Sequence, residues 1–130
     1  MNNAKIALIL AAVVFFGLLI YKNVNNDVRA NGEITGRVSI GPLCPIEPCP
    51  GSPANPYISR SLVLKPSFGQ SVYLKLADDG SFSASIPAGA YSASITDCQF
   101  LGCQYALPKS VKINRGETSE LLIEIDTGIR

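Results

Sequence analysis

Four cysteines carry the most reactive chemistry in the chain. Cys44 and Cys49 lie in CPIEPC, Cys98 and Cys103 in CQFLGC, and four residues separate the members of each pair. Thiols spaced this way can form two disulfides or a four-thiolate zinc site. Zinc knuckles ordinarily separate their thiolates by two residues, so disulfides are the expectation and no metal or other cofactor is assigned. Four cysteines allow three pairings. We expect the local one, Cys44 with Cys49 and Cys98 with Cys103, against cross-loop bonds such as Cys44 with Cys103. By chain entropy so small a ring stabilises by about 2 kcal/mol, against about 4 kcal/mol for the cross-loop bond. Local rings would therefore shape loops more than they hold the fold.

Other chemistry is sparse. The 130 residues include no histidine, which removes Ser-His-Asp and Cys-His pairs and the commonest general base near neutral pH. Asp126-Thr127-Gly128 repeats the triplet of aspartic proteases, but that chemistry needs two such carboxylates sharing one proton. We read it as a strand-ending turn. Asp78, Asp79 and Asp97 could approach a calcium ion, yet no spaced ligand loop is present. No catalytic residue is assigned, and the expectation is a non-enzyme. Eleven basic against ten acidic side chains give a net charge of +1, without the positive excess that phosphate backbones require, so nucleic acid is excluded as a partner.

The elements that must position the cysteines begin with an apolar run. From Ile6 to Ile20 every residue is apolar or glycine (IALILAAVVFFGLLI), with Lys5 before it and Tyr21-Lys22 after it. At about 1.5 Å per residue the run spans roughly 22 Å, short of the ~30 Å hydrocarbon core, and flanking Ala4, Tyr21 and snorkelling lysines can make up the difference. We assign 1–22 as a signal anchor, with residues 6–21 as the membrane contact. Cleavage after Val28-Arg29-Ala30, releasing a secreted domain, is the alternative. The polar stretch 23–31 (NVNNDVRAN) reads as a tether. Residues 32–130 form the domain, with eight basic and nine acidic side chains.

Within that domain apolar residues alternate at period two over 33–40, 57–64, 71–76, 81–86, 90–95, 109–113 and 118–125, which predicts seven short strands. The inward set would be Val38, Ile40, Leu62, Leu64, Val72, Leu74, Leu76, Phe82, Ala84, Ile86, Tyr91, Ala93, Ile95, Val111, Ile113, Leu121, Ile123 and Ile125, with Ile34 on the same face of the first strand. Gly36 on that face suggests a bulge. Six of nine prolines fall in 42–56 and forbid a ladder there. The remaining connections carry turn chemistry and are too short for parallel crossovers, so the expected fold is an all-β, seven-stranded antiparallel sandwich after one transmembrane helix.

One stretch, 77–95 (ADDGSFSASIPAGAYSASI), contains D-G-x-F followed by P-x-G-x-Y at Asp79, Gly80, Phe82, Pro87, Gly89 and Tyr91. It resembles the carboxypeptidase regulatory-like domains, whose sandwich is transthyretin-like (prealbumin-like), and the likeness covers about residues 32–126. GPLCP and the closing DTGIR also resemble small uncharacterised bacterial envelope proteins. The resemblance implies a non-catalytic accessory or surface module. The Cys98/Cys103 loop lies outside that pattern.

Strands joined by tight turns alternate direction, so the odd-numbered connections gather at the end away from the anchor. That end would hold both cysteine loops, the Asp78-Asp79-Gly80 turn and residues 126–130. Leu43, Ile46, Phe100, Leu101 and Tyr105 add apolar surface there, either capping the core or forming a recognition tip for a protein or glycan. The functional expectation is a membrane-anchored extracytoplasmic module with a structural or binding role. A secreted binding domain and a filament subunit with the apolar helix in its core are the rival readings.

Overall fold

A computed structural model describes residues 3–130, with side chains described outside 22–29. Helix α1 spans Asn3–Arg29. Its apolar stretch Asn3–Tyr21 has a mean hydropathy of 2.5 and none of it is buried by the rest of the chain. At 1.5 Å per residue these 19 residues reach about 28 Å, long and apolar enough to cross a membrane. The backbone expected to form a tether remains helical to Arg29, and Asn31 already begins a strand. The stretch contains neither proline nor glycine before Gly32, and adding residues to an existing helix is far cheaper than starting one.

The strands are β1 (Asn31–Gly41), β2 (Ser61–Pro66), β3 (Val72–Lys75), β4 (Ser81–Pro87), β5 (Gly89–Ile95), β6 (Lys109–Ile113) and β7 (Thr118–Asp126), and a one-turn helix α2 (Cys103–Ala106) precedes β6. They form a three-stranded sheet in the order β4-β1-β7 and a four-stranded sheet in the order β3-β2-β5-β6. The alternation in sequence becomes alternation in burial: β7 exposes Glu120, Leu122 and Glu124 while burying Leu121, Ile123 and Ile125.

The all-antiparallel expectation is corrected in the smaller sheet. β1 and β7 pair in parallel, Glu33 opposite Thr118 through Gly41 opposite Asp126, whereas β1 and β4 are antiparallel. Both are odd-numbered strands, so alternating direction makes them point the same way. β7 takes the place beside β1 opposite β4 and is therefore parallel to it, with the rest of the domain as the crossover.

Two local expectations also change. The predicted second strand begins at Ser61 and not at Tyr57, because the Tyr57 amide donates to Asn55 Oδ1 (2.8 Å) and the Arg60 amide to the Tyr57 carbonyl (3.0 Å), closing a turn. Gly36 is not a bulge, since pairing runs unbroken through Gly36–Phe82 and Gly36–Leu121. A Cβ there would strike the Leu121 carbonyl and lie 2.8 Å from the Phe82 ring. The missing side chain makes room for the phenylalanine.

The core lies between the sheets. Ile34, Val38, Leu62, Leu64, Ile113 and Ile123 are fully buried, each contributing about 1.5–3 kcal/mol relative to exposure. Val72, Leu74, Ala84 and Val111 from the expected inward set pack on its rim.

Strand direction separates two ends. At the end where α1 leads into β1, the Ala88 amide donates to the Ala30 carbonyl (2.8 Å) and the Gly116 amide to that of Asn31 (3.0 Å). Opposite lie residues 42–60, the 77–80 turn, residues 96–108 and residues 127–130, following from the strand registers.

Candidate functional site

Both cysteine pairs are disulfides at this second end, paired locally: Cys44–Cys49 with Cα atoms 5.7 Å apart and Cys98–Cys103 with Cα atoms 5.9 Å apart. All four sulfurs are thereby occupied. The two bonds sit differently. Residues 45–48 within the first ring are exposed, while Cys103 is buried and Cys98 packs on the core.

Residues 126–128 tie these loops together. The Thr127 amide donates to the Gly41 carbonyl (3.1 Å), and its hydroxyl donates to the Pro42 carbonyl. The Gly102 amide donates to the Asp126 carbonyl (2.6 Å). A Cβ on Gly102 would crowd the Asp126 backbone at 2.5–3.0 Å, so glycine permits that approach. The Asp126 carboxylate accepts from the Gly128 amide (2.8 Å) and from Arg130 (2.7 and 3.1 Å). Arg130, then the Gly128 amide, hold its pKa at about 2. The triplet is a strand-ending turn whose carboxylate is committed to its own neighbours.

Asp79 behaves similarly in the β3–β4 turn. The Ser81 hydroxyl (2.6 Å) and amide (3.0 Å) donate to it, Arg37 approaches to 2.9 Å, and these contacts lower its pKa to about 2, those from Ser81 foremost. Gly80, at φ 82°, lies against the Val38 carbonyl and the Tyr57 ring, an approach and a dihedral that favour glycine. The Asp78 carbonyl accepts from Asn55 (2.9 Å), and Asp97 pairs loosely with Arg60 (3.8 Å). Among the described residues no three of His, Cys, Asp and Glu gather as a metal site.

The five apolar residues expected at this end occupy different settings. Phe100 packs on the core, Leu43 is half-buried, and Ile46, Leu101 and Tyr105 are 74%, 56% and 80% exposed. Phe100 and Leu101 share a shallow groove of about 560 Å³ with Ile95, Cys98, Cys103 and Leu107. Leu101 also joins Tyr105 in an adjoining groove with Gly102, Ala106, Glu124 and Asp126. Leu43 and Ile46 line neither groove.

Two residues that organise this end did not stand out as functional in the sequence. The Arg60 guanidinium lies 4.9 Å from the Phe100 ring centre and donates to the carbonyls of Pro56 (2.6 Å) and Asp97 (3.1 Å). The Ile40 amide donates to the Tyr57 hydroxyl (3.1 Å). An isolated arginine ahead of a strand looks like any solvated charge. Tyr57 continued the alternation of the strand after it and so looked like part of it.

No protein-family model matches the chain, and no curated protein matches it. Among solved structures, it overlaps a DUF3823 family protein from Parabacteroides merdae with a TM-score of 0.46 and 20% identity, over 73% of this chain and 45% of that one. A DUF3823 family protein from Bacteroides ovatus gives 0.46 and 16%, over 72% and 44%. The Bacillus anthracis TIE protein gives 0.44 and 14%, over 75% and 17%. The chain spans less than half the length of each.

Proposed function

We propose that this chain is a non-catalytic, membrane-anchored extracytoplasmic module that presents its disulfide-bearing end away from the bilayer to a protein or glycan. The observation that carries this reading is polarity along the strands. α1 enters β1 at one end, and both disulfides lie at the other. Disulfides persist in oxidising compartments, which supports an extracytoplasmic domain. A rigid sandwich carrying stapled loops with exposed Leu101, Tyr105 and Ile46 suits recognition by shape and apolar contact. The D-G-x-F and P-x-G-x-Y pattern supports a regulatory-like domain, with Phe82 in the core and the Tyr91 hydroxyl donating to the Pro87 carbonyl (2.6 Å).

Release after Ala30 is the second reading, favoured by one feature: β1 begins at Asn31, so that cut leaves every strand intact.

Tryptophan is absent from the sequence, so single tryptophans test the orientation. Phe68, 95% exposed, lies between β2 and β3 at the α1 end, and Ile46 lies at the other. In vesicles containing quencher-labelled lipid, Phe68→Trp should be quenched well beyond Ile46→Trp. Equal quenching, or stronger quenching at Ile46→Trp, overturns the orientation.

A further inference from the structure

The near-zero net charge conceals a segregation between the two sheets. The strands of the larger sheet carry Lys65, Lys75, Lys109 and Lys112 and no acidic residue. Those of the smaller sheet carry Glu33, Glu120, Glu124 and Asp126, with Arg37 as their one cation. Arg37 is committed to Asp79 at 2.9 Å, Asp126 to Arg130 at 2.7 Å, and Lys109 reaches the Leu122 carbonyl at 2.6 Å across the edge between the sheets.

The remaining charges lie on the outer faces. Lys65, Lys75 and Lys112 are exposed on one, and Glu33, Glu120 and Glu124 on the other. The three ion pairs among the described residues, Arg37–Asp79, Arg60–Asp97 and Arg130–Asp126, involve none of these six. Each face also carries an exposed apolar side chain among its charges. Tyr73, 67% exposed, stands beside Lys75 on the basic face, and Leu122, 53% exposed, stands between Glu120 and Glu124 on the acidic face. Lys65 and Lys112 flank a shallow hollow of about 510 Å³ lined in part by Ala90, Ser92 and Ser110.

We propose that the basic outer face of the larger sheet docks on the acidic outer face of the smaller sheet in a second copy of this chain. One copy supplies the lysines and Tyr73, and the next supplies the glutamates and Leu122. Charge complementarity favours a second copy as the occupant: the chain presents, on opposite sides, two faces that are opposite in sign and that each set an exposed apolar residue among the charges. Such an interface is heterologous, so copies join in a row or close into a ring. Exposed ion pairs are individually weak and salt-sensitive, so association depends on local concentration, which confinement to one surface raises.

The test uses the whole chain in phosphatidylcholine vesicles, with energy transfer read between copies labelled at the amino terminus. Wild-type chains should show transfer above the random level at low salt, declining as salt is raised. Lys65→Glu/Lys75→Glu/Lys112→Glu and, separately, Glu33→Lys/Glu120→Lys/Glu124→Lys should each weaken association by about tenfold or more. An equimolar mixture of the two variants should regain it, because each reversed face meets an oppositely charged one. Random transfer for the wild type, transfer unchanged by both reversals, or a mixture that stays dissociated overturns the proposal. The last outcome leaves the lysines to a different anionic partner. Should the lysine-to-glutamate set fail to fold, Lys→Gln at the same positions must still weaken association. Should the chain not partition into vesicles, the anchor reading fails independently, and sedimentation of the same mixtures decides this one.

Discussion

Arg60 holds its guanidinium 4.9 Å from the centre of the Phe100 ring while Nη1 and Nε donate to the carbonyls of Pro56 and Asp97. One side chain thereby joins the segment that carries Cys44–Cys49 to the segment that carries Cys98–Cys103. Charged hydrogen bonds and a partly desolvated cation–π contact together support a loss of about 2 kcal/mol for Arg60→Ala. Arg60→Lys should recover only part of it, since an ammonium lacks the planar fork that reaches both carbonyls. Denaturant midpoints check both, and no change in Arg60→Ala would remove the clamp.

Gly36→Ala should destabilise by about 1–3 kcal/mol, because the new methyl meets the Leu121 carbonyl and the Phe82 ring. Gly41→Ala is the control: nothing lies within 4 Å of its Cβ position, and the change should stay within about 0.5 kcal/mol. Thermal unfolding of the two variants separates crowding from any general effect of replacing glycine in β1.

The Asp79 and Asp126 carboxylates titrate at about 2 in the folded chain, below the ordinary 3.8. A depressed folded-state value means that their contribution is present above about pH 3.8 and is lost as pH falls toward 2. Carboxyl-carbon titration by NMR should give midpoints near 2 for both. Arg130→Gln should raise that of Asp126, and Ser81→Ala that of Asp79. Ordinary midpoints in the wild type would contradict the contacts.

Much of the fold was legible because burial imposes a period of two, and each tight turn reverses the chain. That reasoning placed the strand interiors and the set of loops sharing one end, while the local disulfides were expected from the two closely spaced cysteine pairs. It did not place β7 beside β1, since direction does not determine which distant strand becomes the neighbour. The early start expected for the second strand came from apolar Tyr57 and Ile58, whereas a hydrogen bond to Asn55 closes a turn there. The site was legible only as a cluster of loops. Arg60 and Gly102 act through close three-dimensional approach, for which no periodicity exists.

The two disulfides should differ in reactivity and in contribution. Replacing Cys44 and Cys49 together by serine should cost at most about 2 kcal/mol, the entropy of a small ring. Replacing Cys98 and Cys103 should cost about 3–5 kcal/mol, because Cys103 is buried and Cys98 packs on the core. Partial reduction mapped by mass should open Cys44–Cys49 first. Earlier opening of Cys98–Cys103 would contradict the difference in burial.

The most direct measurement is the intact mass of natively produced protein, kept unreduced and recovered separately from membrane and soluble fractions. We expect the anchored chain in the membrane fraction, with α1 retained and four hydrogens fewer than the fully reduced form because of its two disulfides. A chain beginning near Asn31 in the soluble fraction, or a membrane-bound chain with four free thiols, would contradict a membrane-anchored extracytoplasmic module.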